Sequence, residues 1–241
     1  MKNILILFFF LIALSQSYAQ SYSFSQSKGL YTHLENGTSI NAEKVWSGFQ
    51  SFSIPIGFSF DYIDSTFTSV SLEATGRLIF DENHYYYADM FVVAGMQDKG
   101  TENSLSPLSY ELSGTIGDQI LKIEINNAAY KKDLSSTINY QIWLYENNGT
   151  IELHMGPNSI EHPETTLDRG PFSGVFNMIS FSPTTYAYGY ALLGSSESPS
   201  DTTFVGTGTN SFGLTLDGVP VDSTIYRFTM VVPARPEGAH D

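Results

Sequence analysis

Apolar and polar residues alternate most regularly along residues 56–80. Two stretches of this segment carry an apolar side chain at every second position, a period typical of strands that bury one face. Between the second stretch and Leu78, Thr75 and Gly76 provide a tight turn. We therefore predict a β-meander of three antiparallel strands here, around which the other strands are arranged.

A second alternating unit spans residues 138–155. The strand predicted at residues 138–146 is followed by Asn148 and Gly149, a pair that closes tight hairpin turns, and then by a strand at residues 151–155. One face of the first strand is apolar and the other combines an amide with two aromatic rings. These faces consist of Tyr140, Ile142 and Leu144, and of Gln141, Trp143 and Tyr145, respectively.

The same period recurs in five further stretches, and no helical period of useful length is present in the rest of the mature chain. The five stretches are residues 108–112, 120–125, 172–181, 185–193 and 225–232. Residues 22–24 and 30–34 predict an opening hairpin, whereas residues 131–136 and 199–210 are polar and predict loops. The strands together predict an all-β fold: a two-sheet antiparallel β-sandwich that is jelly-roll-like.

Residues 1–19 are predicted to be a signal peptide, because Lys2 precedes an apolar run at residues 4–14 and small residues follow it. The run is shorter than the roughly 20 residues of a membrane-spanning helix, and a membrane anchor is the alternative interpretation. We predict a single β-sandwich domain at residues 20–232 and a flexible tail at residues 233–241. The expected location is secreted or on the outer cell surface, with the periplasm as an alternative.

The chain has no cysteine, so burial of apolar surface rather than disulfide bonds must stabilise the fold. Its formal net charge is −14, and the acidic residues are scattered along the sequence. Nucleic acid and anionic membrane surfaces are therefore not expected partners, because both require basic patches. An extracellular glycan or a cell-surface protein is the expected kind of partner.

Residues that would carry catalysis do not form a recognisable motif. There is no cysteine nucleophile and no Gly-x-Ser-x-Gly turn, and the five histidines lack the spacing of zinc ligands. Glu124 and Glu152 are strand carboxylates of the type that glycosidases use, but neither belongs to an acidic cluster. We expect both to face water and predict that the protein is not an enzyme.

The face formed by Gln141, Trp143 and Tyr145 is the first candidate for ligand recognition. Aromatic rings beside an amide suit the apolar faces and hydroxyl groups of sugars. The alternative is that Trp143 and Tyr145 lie under a loop, because alternation does not tell which of two apolar faces is exposed. A carbohydrate-binding domain is therefore one interpretation of this face, and a structural role is the other.

Residues 81–89 contain two further groups of candidates. Carboxylate and amide oxygens there could bind calcium, and consecutive tyrosines could contact a partner. The oxygen donors are Asp81, Glu82, Asn83 and Asp89, and the tyrosines are Tyr85, Tyr86 and Tyr87. Because the spacing is not that of a known calcium loop, a solvated loop with tyrosines packed in the core is the alternative. No other cofactor is predicted.

The order of these motifs resembles a β-sandwich module of secreted Bacteroidota proteins, usually found ahead of a type IX secretion sorting domain. The resemblance rests on residues 56–60, on the turn at Thr75 and Gly76, on residues 120–124, 139–146 and 151–152, and on residues 218–220 and 226–228. It implies an extracellular or cell-surface module with a binding, adhesive or structural role. It implies no catalytic residues.

Overall fold

The computed structural model of the chain describes residues 21–48, 50–81, 86–93, 95–160, 171–181, 184–207 and 215–231. The predicted signal peptide at residues 1–19 and the predicted tail at residues 233–241 lie outside the described residues. So do three of the candidate site residues, Glu82, Asn83 and Tyr85.

The described residues form β-strands and no helix. In chain order the strands are β1 (Ser21–Lys28), β2 (Thr38–Ser39), β3 (Ser51–Tyr62), β4 (Ser65–Glu73), β5 (Arg77–Asp81), β6 (Tyr86–Val92), β7 (Met96–Gln97), β8 (Leu108–Ser113), β9 (Ile120–Tyr130), β10 (Asp133–Tyr145), β11 (Ile151–Met155), β12 (Phe172–Phe181), β13 (Thr184–Ser195), β14 (Ser200–Thr207), β15 (Leu216–Asp217) and β16 (Thr224–Val231).

The strands form two sheets. Sheet A has the order β1-β16-β11-β10-β9-β8-β2, with β7 also pairing with β9, and sheet B has the order β14-β13-β12-β6-β5-β4-β3. All these pairs are antiparallel, and the short β15 joins β13 in parallel. On the main path of sheet B all neighbours except β12 and β6 follow one another in the chain, whereas in sheet A only β8 to β11 do so. The prediction of an all-β, two-sheet antiparallel sandwich is confirmed.

The predicted meander at residues 56–80 forms one half of sheet B as β3, β4 and β5. Its second turn places Gly76 at a φ of 102°, a conformation that L side chains rarely adopt. The Gly76 N–H donates to the Glu73 carbonyl at 2.9 Å, which closes the turn. Leu72 and Leu78, on the two strands that it joins, are completely buried.

Aromatic rings from both sheets meet in the core. Phe91 of β6 packs against Tyr140 of β10 with ring centroids 5.5 Å apart, and Tyr190 of β13 packs against Phe228 of β16 at 6.3 Å. Phe91, Tyr140 and Phe228 have no exposed surface. Because a fully buried large apolar side chain contributes about 1.5–3 kcal/mol, this core supplies stability that a cysteine-free chain cannot obtain from disulfide bonds.

The predicted opening hairpin at residues 22–34 is wrong. Strand β1 pairs along its whole length with β16, from Ser21 opposite Val231 to Lys28 opposite Thr224. Residues 29–37 form no strand and instead pass over the face of sheet A that points away from sheet B. The first and last strands of the described chain therefore pair with each other, and the segment between β1 and β2 is free to cover the sheet.

Two predicted polar loops are also wrong, because β10 begins within the first and β14 lies within the second. Ser136 explains the first case: its hydroxyl accepts from the Tyr130 N–H at 2.9 Å and donates to the Asp133 carbonyl at 2.7 Å, which stabilises a tight hairpin. Within the described part of the chain, strand β14 is the edge of sheet B and pairs only with β13. Polar residues are common on edge strands, where they discourage further strand pairing.

Candidate functional site

Strand β10 lies in the middle of sheet A, between β9 and β11. Its apolar face, Tyr140, Ile142 and Leu144, is completely buried against sheet B, which confirms the predicted division of the strand into two faces. The other face, Gln141, Trp143 and Tyr145, therefore points away from the core. Gln141 is nevertheless buried, while Trp143 and Tyr145 are half-buried, because other parts of the chain cover them.

Strand register lines up two rows of polar side chains across this outer face. In the first row, Gln141 lies opposite Glu124 of β9 on one side and His154 of β11 on the other. In the second row, Trp143 lies between Lys122 and Glu152. The second row extends to Glu111 of β8 beside Lys122 and to Arg227 of β16 beside Glu152. Side chains opposite one another on adjacent strands are close enough to interact directly.

Glu124 fastens the segment of residues 30–36 to the sheet. One carboxylate oxygen, Oε1, accepts from the Tyr31 hydroxyl at 2.9 Å and from Gln141 Nε2 at 2.8 Å, and it lies 3.1 Å from His33 Nδ1. The other oxygen accepts from the Leu34 N–H at 3.3 Å. The expectation that Glu124 faces water is therefore wrong, since only 2% of this residue is exposed.

Tyr31 is held as a hydrogen-bond donor by its surroundings. Burial, followed by the charge of Glu124 and the hydrogen bond to it, raises the pKa of Tyr31 well above its ordinary value. The phenol therefore remains protonated and continues to donate to the carboxylate at neutral pH. His33 completes the contact with its ring set edge-on to that of Tyr31, at a centroid distance of 5.2 Å.

Glu152 organises the second row, and it too is buried rather than facing water as predicted. Its carboxylate accepts from the Tyr145 hydroxyl at 2.6 Å and from Arg227 Nε at 2.5 Å, and it lies 2.7 Å from His154 Nε2. Burial alone would raise the pKa of Glu152, but the hydrogen bonds from His154 and Tyr145 and the charges of His154 and Arg227 hold it below its usual range. Glu152 is therefore a fixed anion, whereas a general acid requires a raised pKa.

Both faces of the Trp143 ring are occupied. The His154 imidazole stacks on one face, with centroids 3.9 Å apart and an angle of 19° between the planes. Lys122 Nζ lies over the ring, 4.3 Å from its centroid. Because His154 fills the first face, the Lys122 ammonium occupies the other face as a cation–π partner. The indole N–H donates to Gln141 Oε1 at 2.9 Å, which fixes the ring in its plane.

We call residues 30–36 the crossing segment. A cleft of about 390 Å³ lies between this segment and the outer face of sheet A. We call it the outer cleft. The crossing segment, residues 30–36, forms its wall. Its floor consists of side chains from sheet A: Glu111, Lys122, Gln141, Trp143 and His154. Its volume lies within the range of small-molecule sites, which is roughly 300–1,000 Å³. Tyr145 does not line the cleft, so the structure brings Gln141 and Trp143 together at one site and leaves Tyr145 beside it.

The outer cleft combines charges of both signs. Glu35, Glu111 and Lys122 line it, and none of the three has an ion pair within the described part of the chain. By contrast, the two buried carboxylates beneath and beside the cleft already accept hydrogen bonds from several donors. A ligand in the cleft could therefore form ion pairs and hydrogen bonds with Glu35, Glu111 and Lys122. Glu124 and Glu152 would not have to move, because their hydrogen bonds already hold them in place.

The described candidates at residues 81–89, Asp81, Tyr86, Tyr87 and Asp89, lie on sheet B, and the structure does not bring them to the outer cleft. Asp89 is buried and makes a bidentate ion pair with Arg77, with Nε to Oδ1 at 2.6 Å and Nη2 to Oδ2 at 2.9 Å. Tyr86 is buried and donates to Asp64 at 2.7 Å, and Tyr87 lies under Arg77 with its ring centroid 5.0 Å from the guanidinium carbon. Among the described residues no three His, Cys, Asp or Glu side chains are grouped to hold a metal ion, and calcium remains a prediction.

Sequence reasoning missed four of the residues at this site: Tyr31, His33, Lys122 and His154. One signal was present. Strands β9, β10 and β11 each carry a polar residue at an outward position of the same register, and Glu124, Gln141 and His154 form a continuous polar row. A row of that kind on three central strands indicates either a solvated face or a site covered by another segment, and the structure shows the second.

Replacing Glu124 with alanine is expected to release the crossing segment from sheet A. The change removes one acceptor shared by Tyr31, His33, Gln141 and the Leu34 N–H, and hydrogen bonds to a charged group contribute about 1.5–3 kcal/mol each. We expect a loss of about 3 kcal/mol in the free energy of unfolding and at least tenfold faster amide hydrogen exchange at Leu34.

Glu111→Ala is the matched control, because Glu111 lines the same cleft from the neighbouring strand but accepts no hydrogen bond from the segment. Its exchange rates should match those of the unaltered protein. If Leu34 exchanges at the same rate in both variants, Glu124 is not what holds the segment.

The described fold and cleft define a class of protein: a β-sandwich module with a potential binding site on the outer face of one sheet. A model of the family described as NIDO related matches residues 21–230, and the chain therefore belongs to the NIDO-related family. No curated protein and no solved structure matches the chain. Family membership, together with the β-sandwich, identifies it as an extracellular, non-enzymatic type of module.

The family match agrees with the predicted extracellular character of the module at this general level. Among the described residues, no helix is long and apolar enough to cross a membrane.

Proposed function

We propose that this protein is a secreted or cell-surface module that binds an extracellular glycan in the outer cleft and catalyses no reaction. The observation that carries the proposal is the cleft itself, which places an indole ring, an ammonium group and free carboxylates within one volume suited to a small ligand. Sugars combine apolar C–H faces with hydroxyl groups, and they are bound by aromatic rings set among polar side chains.

Two features support binding rather than catalysis. Glu152 is held as an anion by Arg227 and Tyr145, and Glu124 is enclosed by the donors that fasten the crossing segment. The pKa of Glu152 is lowered rather than raised, and neither carboxylate lies beside an open position for substrate. Hydrolysis of a polysaccharide that disappears in Glu124→Gln or Glu152→Gln would overturn this part of the proposal.

Binding to a glycan array by the purified protein and by Trp143→Ala tests the proposal. We expect the unaltered protein to bind a defined set of glycans and Trp143→Ala to lose at least tenfold in affinity, since the aromatic ring on which the apolar face of a sugar can pack is removed. Thr68→Ala is the control, because Thr68 is exposed on β4 of the other sheet. Absence of glycan binding by the unaltered protein, or equal binding by Trp143→Ala, would contradict the proposal.

The resemblance to secreted sandwich modules of Bacteroidota supports the export step of the proposal. Origin in that group, the type IX route and an adhesive role remain predictions. A mass measurement of the mature protein from the culture medium would test export, with Gln20 expected as its first residue.

A further inference from the structure

Lys122 is an unpaired cation in the outer cleft. In the described part of the chain no carboxylate oxygen lies within 4.0 Å of its Nζ, although Glu111 is its neighbour across the strand pair. The other cation in the same cross-strand row, Arg227, is bound to Glu152. Lys122 instead rests on the Trp143 ring.

The ammonium group covers the face of Trp143 that a sugar would need. The opposite face is filled by His154, so a ligand can stack on the indole only where Lys122 now lies. A neutral sugar has nothing to offer the displaced ammonium beyond hydroxyl contacts. A carboxylate can bind it through a charge-assisted hydrogen bond, which is stronger than a contact with a neutral group.

We propose that the outer cleft selects acidic saccharides, in which the carboxylate of a uronic acid draws Lys122 off the Trp143 ring and the sugar takes its place on the indole. Charge recognition and ring stacking are then coupled, because the same movement of one side chain makes both contacts available. The inference rests on the proposed function and names the chemical class of its ligand.

Glu35 and Glu111 oppose this selection and set its geometry. Both carboxylates line the cleft, so an anion placed near either one is repelled. The acid group must therefore contact the side of the Lys122 ammonium that is turned away from Glu111, its cross-strand neighbour, with the hydroxyl groups of the ligand directed to Glu35 and Glu111 as hydrogen-bond donors. Sugar hydroxyl groups can donate in this way, whereas a simple dicarboxylic acid cannot.

The test compares disaccharides of galacturonate, glucuronate and mannuronate with their own methyl esters, which keep the shape and lose the charge. Titration is followed by tryptophan fluorescence, because Trp46 is buried and hydrogen-bonded to Ser106 while Trp143 lines the cleft. We expect at least one acid to bind tenfold or more tightly than its ester and to change the emission of Trp143. Glutarate, a carboxylate without a sugar ring, should bind weakly.

Lys122→Met is expected to remove the preference, so that acid and ester bind within about twofold of each other. Lys131→Met is the matched control, since Lys131 is exposed outside the cleft and its loss changes the net charge equally. Glu111→Gln should increase the preference for the acid over its ester, because it removes the repulsion of the carboxylate, while the loss of a hydroxyl acceptor affects acid and ester alike. A smaller preference for the acid in Glu111→Gln would show that the carboxylate is not placed as proposed and would overturn the proposal.

Three results separate this proposal from the one on which it rests. If neutral disaccharides or the esters bind the unaltered protein as tightly as the acids, the cleft binds glycans but does not select acidic ones. If glutarate binds as tightly as the disaccharides, the sugar ring makes no contribution and the class of ligand is wrong. If no saccharide binds, glycan binding itself is wrong and the selection falls with it.

Discussion

Replacing Gly76 with alanine is expected to lower the free energy of unfolding by about 4 kcal/mol. An L residue at this φ of 102° is strained by about 1–3 kcal/mol, and overpacking adds about 1–3 kcal/mol. The added Cβ would lie 2.5 Å from the Phe91 carbonyl oxygen and 2.7 Å from the Tyr140 hydroxyl. Backbone of β6 and a buried ring of β10 would both have to move, so the two sheets would separate locally.

Thermal and urea unfolding of Gly76→Ala and Gly117→Ala distinguish strain from packing. Gly117 has a similar φ of 95°, but a Cβ there meets no atom within 4 Å. We expect Gly117→Ala to cost about 1 kcal/mol and Gly76→Ala to lower the melting temperature by about 10 °C. Equal losses in the two variants would mean that the backbone conformation alone, and not the approach to Phe91, makes Gly76 necessary.

The predicted meander and the β10–β11 hairpin are correct because their signals are local. Alternation along β3, β4 and β10 reports which side chains are buried, and the turns at Gly76 and Gly149 follow directly in the sequence. Strand pairing between distant segments leaves no such signal. β1 and β16 are nearly 200 residues apart in the chain, and each could have paired with any edge strand on the basis of alternation alone.

Only part of the candidate site was predicted, because here too segments that are distant in the chain come together. Gln141 and Trp143 were identified from one strand, but the wall of the cleft comes from residues 30–36, which have no regular structure and no periodic pattern. Glu124 was assigned to solvent because charged residues are rarely buried. Its burial depends on four donors, three from the crossing segment and one from β10, and the sequence of β9 contains none of that information.

The two sheets use buried carboxylates on their outer faces in different ways. On sheet A, Glu124 and Glu152 are surrounded by donors and shape a cleft. On sheet B, Asp89 is satisfied by the single guanidinium of Arg77, and burial still raises the pKa of Asp89 above its usual range although the charge and hydrogen bonds of Arg77 lower it. The Asp89 carboxylate therefore depends on one partner, which makes it the more vulnerable of these sites to substitution.

Arg77→Met is expected to destabilise the protein by about 3 kcal/mol at neutral pH, because it leaves the Asp89 carboxylate buried without a partner. The loss should depend on pH. Without Arg77 the pKa of Asp89 in the folded state rises further, while in the unfolded state it stays near 3.9. At a pH between the unfolded-state and folded-state pKa values of Asp89, the folded state binds a proton that the unfolded state has released. The free energy of unfolding therefore falls as the pH rises through this range.

Urea unfolding at pH 5 and pH 8 measures this effect, and we expect Arg77→Met to lose more stability, relative to the unaltered protein, at pH 8 than at pH 5. The double variant Arg77→Met/Asp89→Asn is the control, because it removes the buried charge together with its partner and keeps the shape of the side chain. Its loss should be smaller at pH 8 and nearly equal at the two pH values. A loss in Arg77→Met that is the same at both pH values would show that Asp89 reaches solvent when Arg77 is removed, and that the ion pair is not required to keep this carboxylate within the sheet.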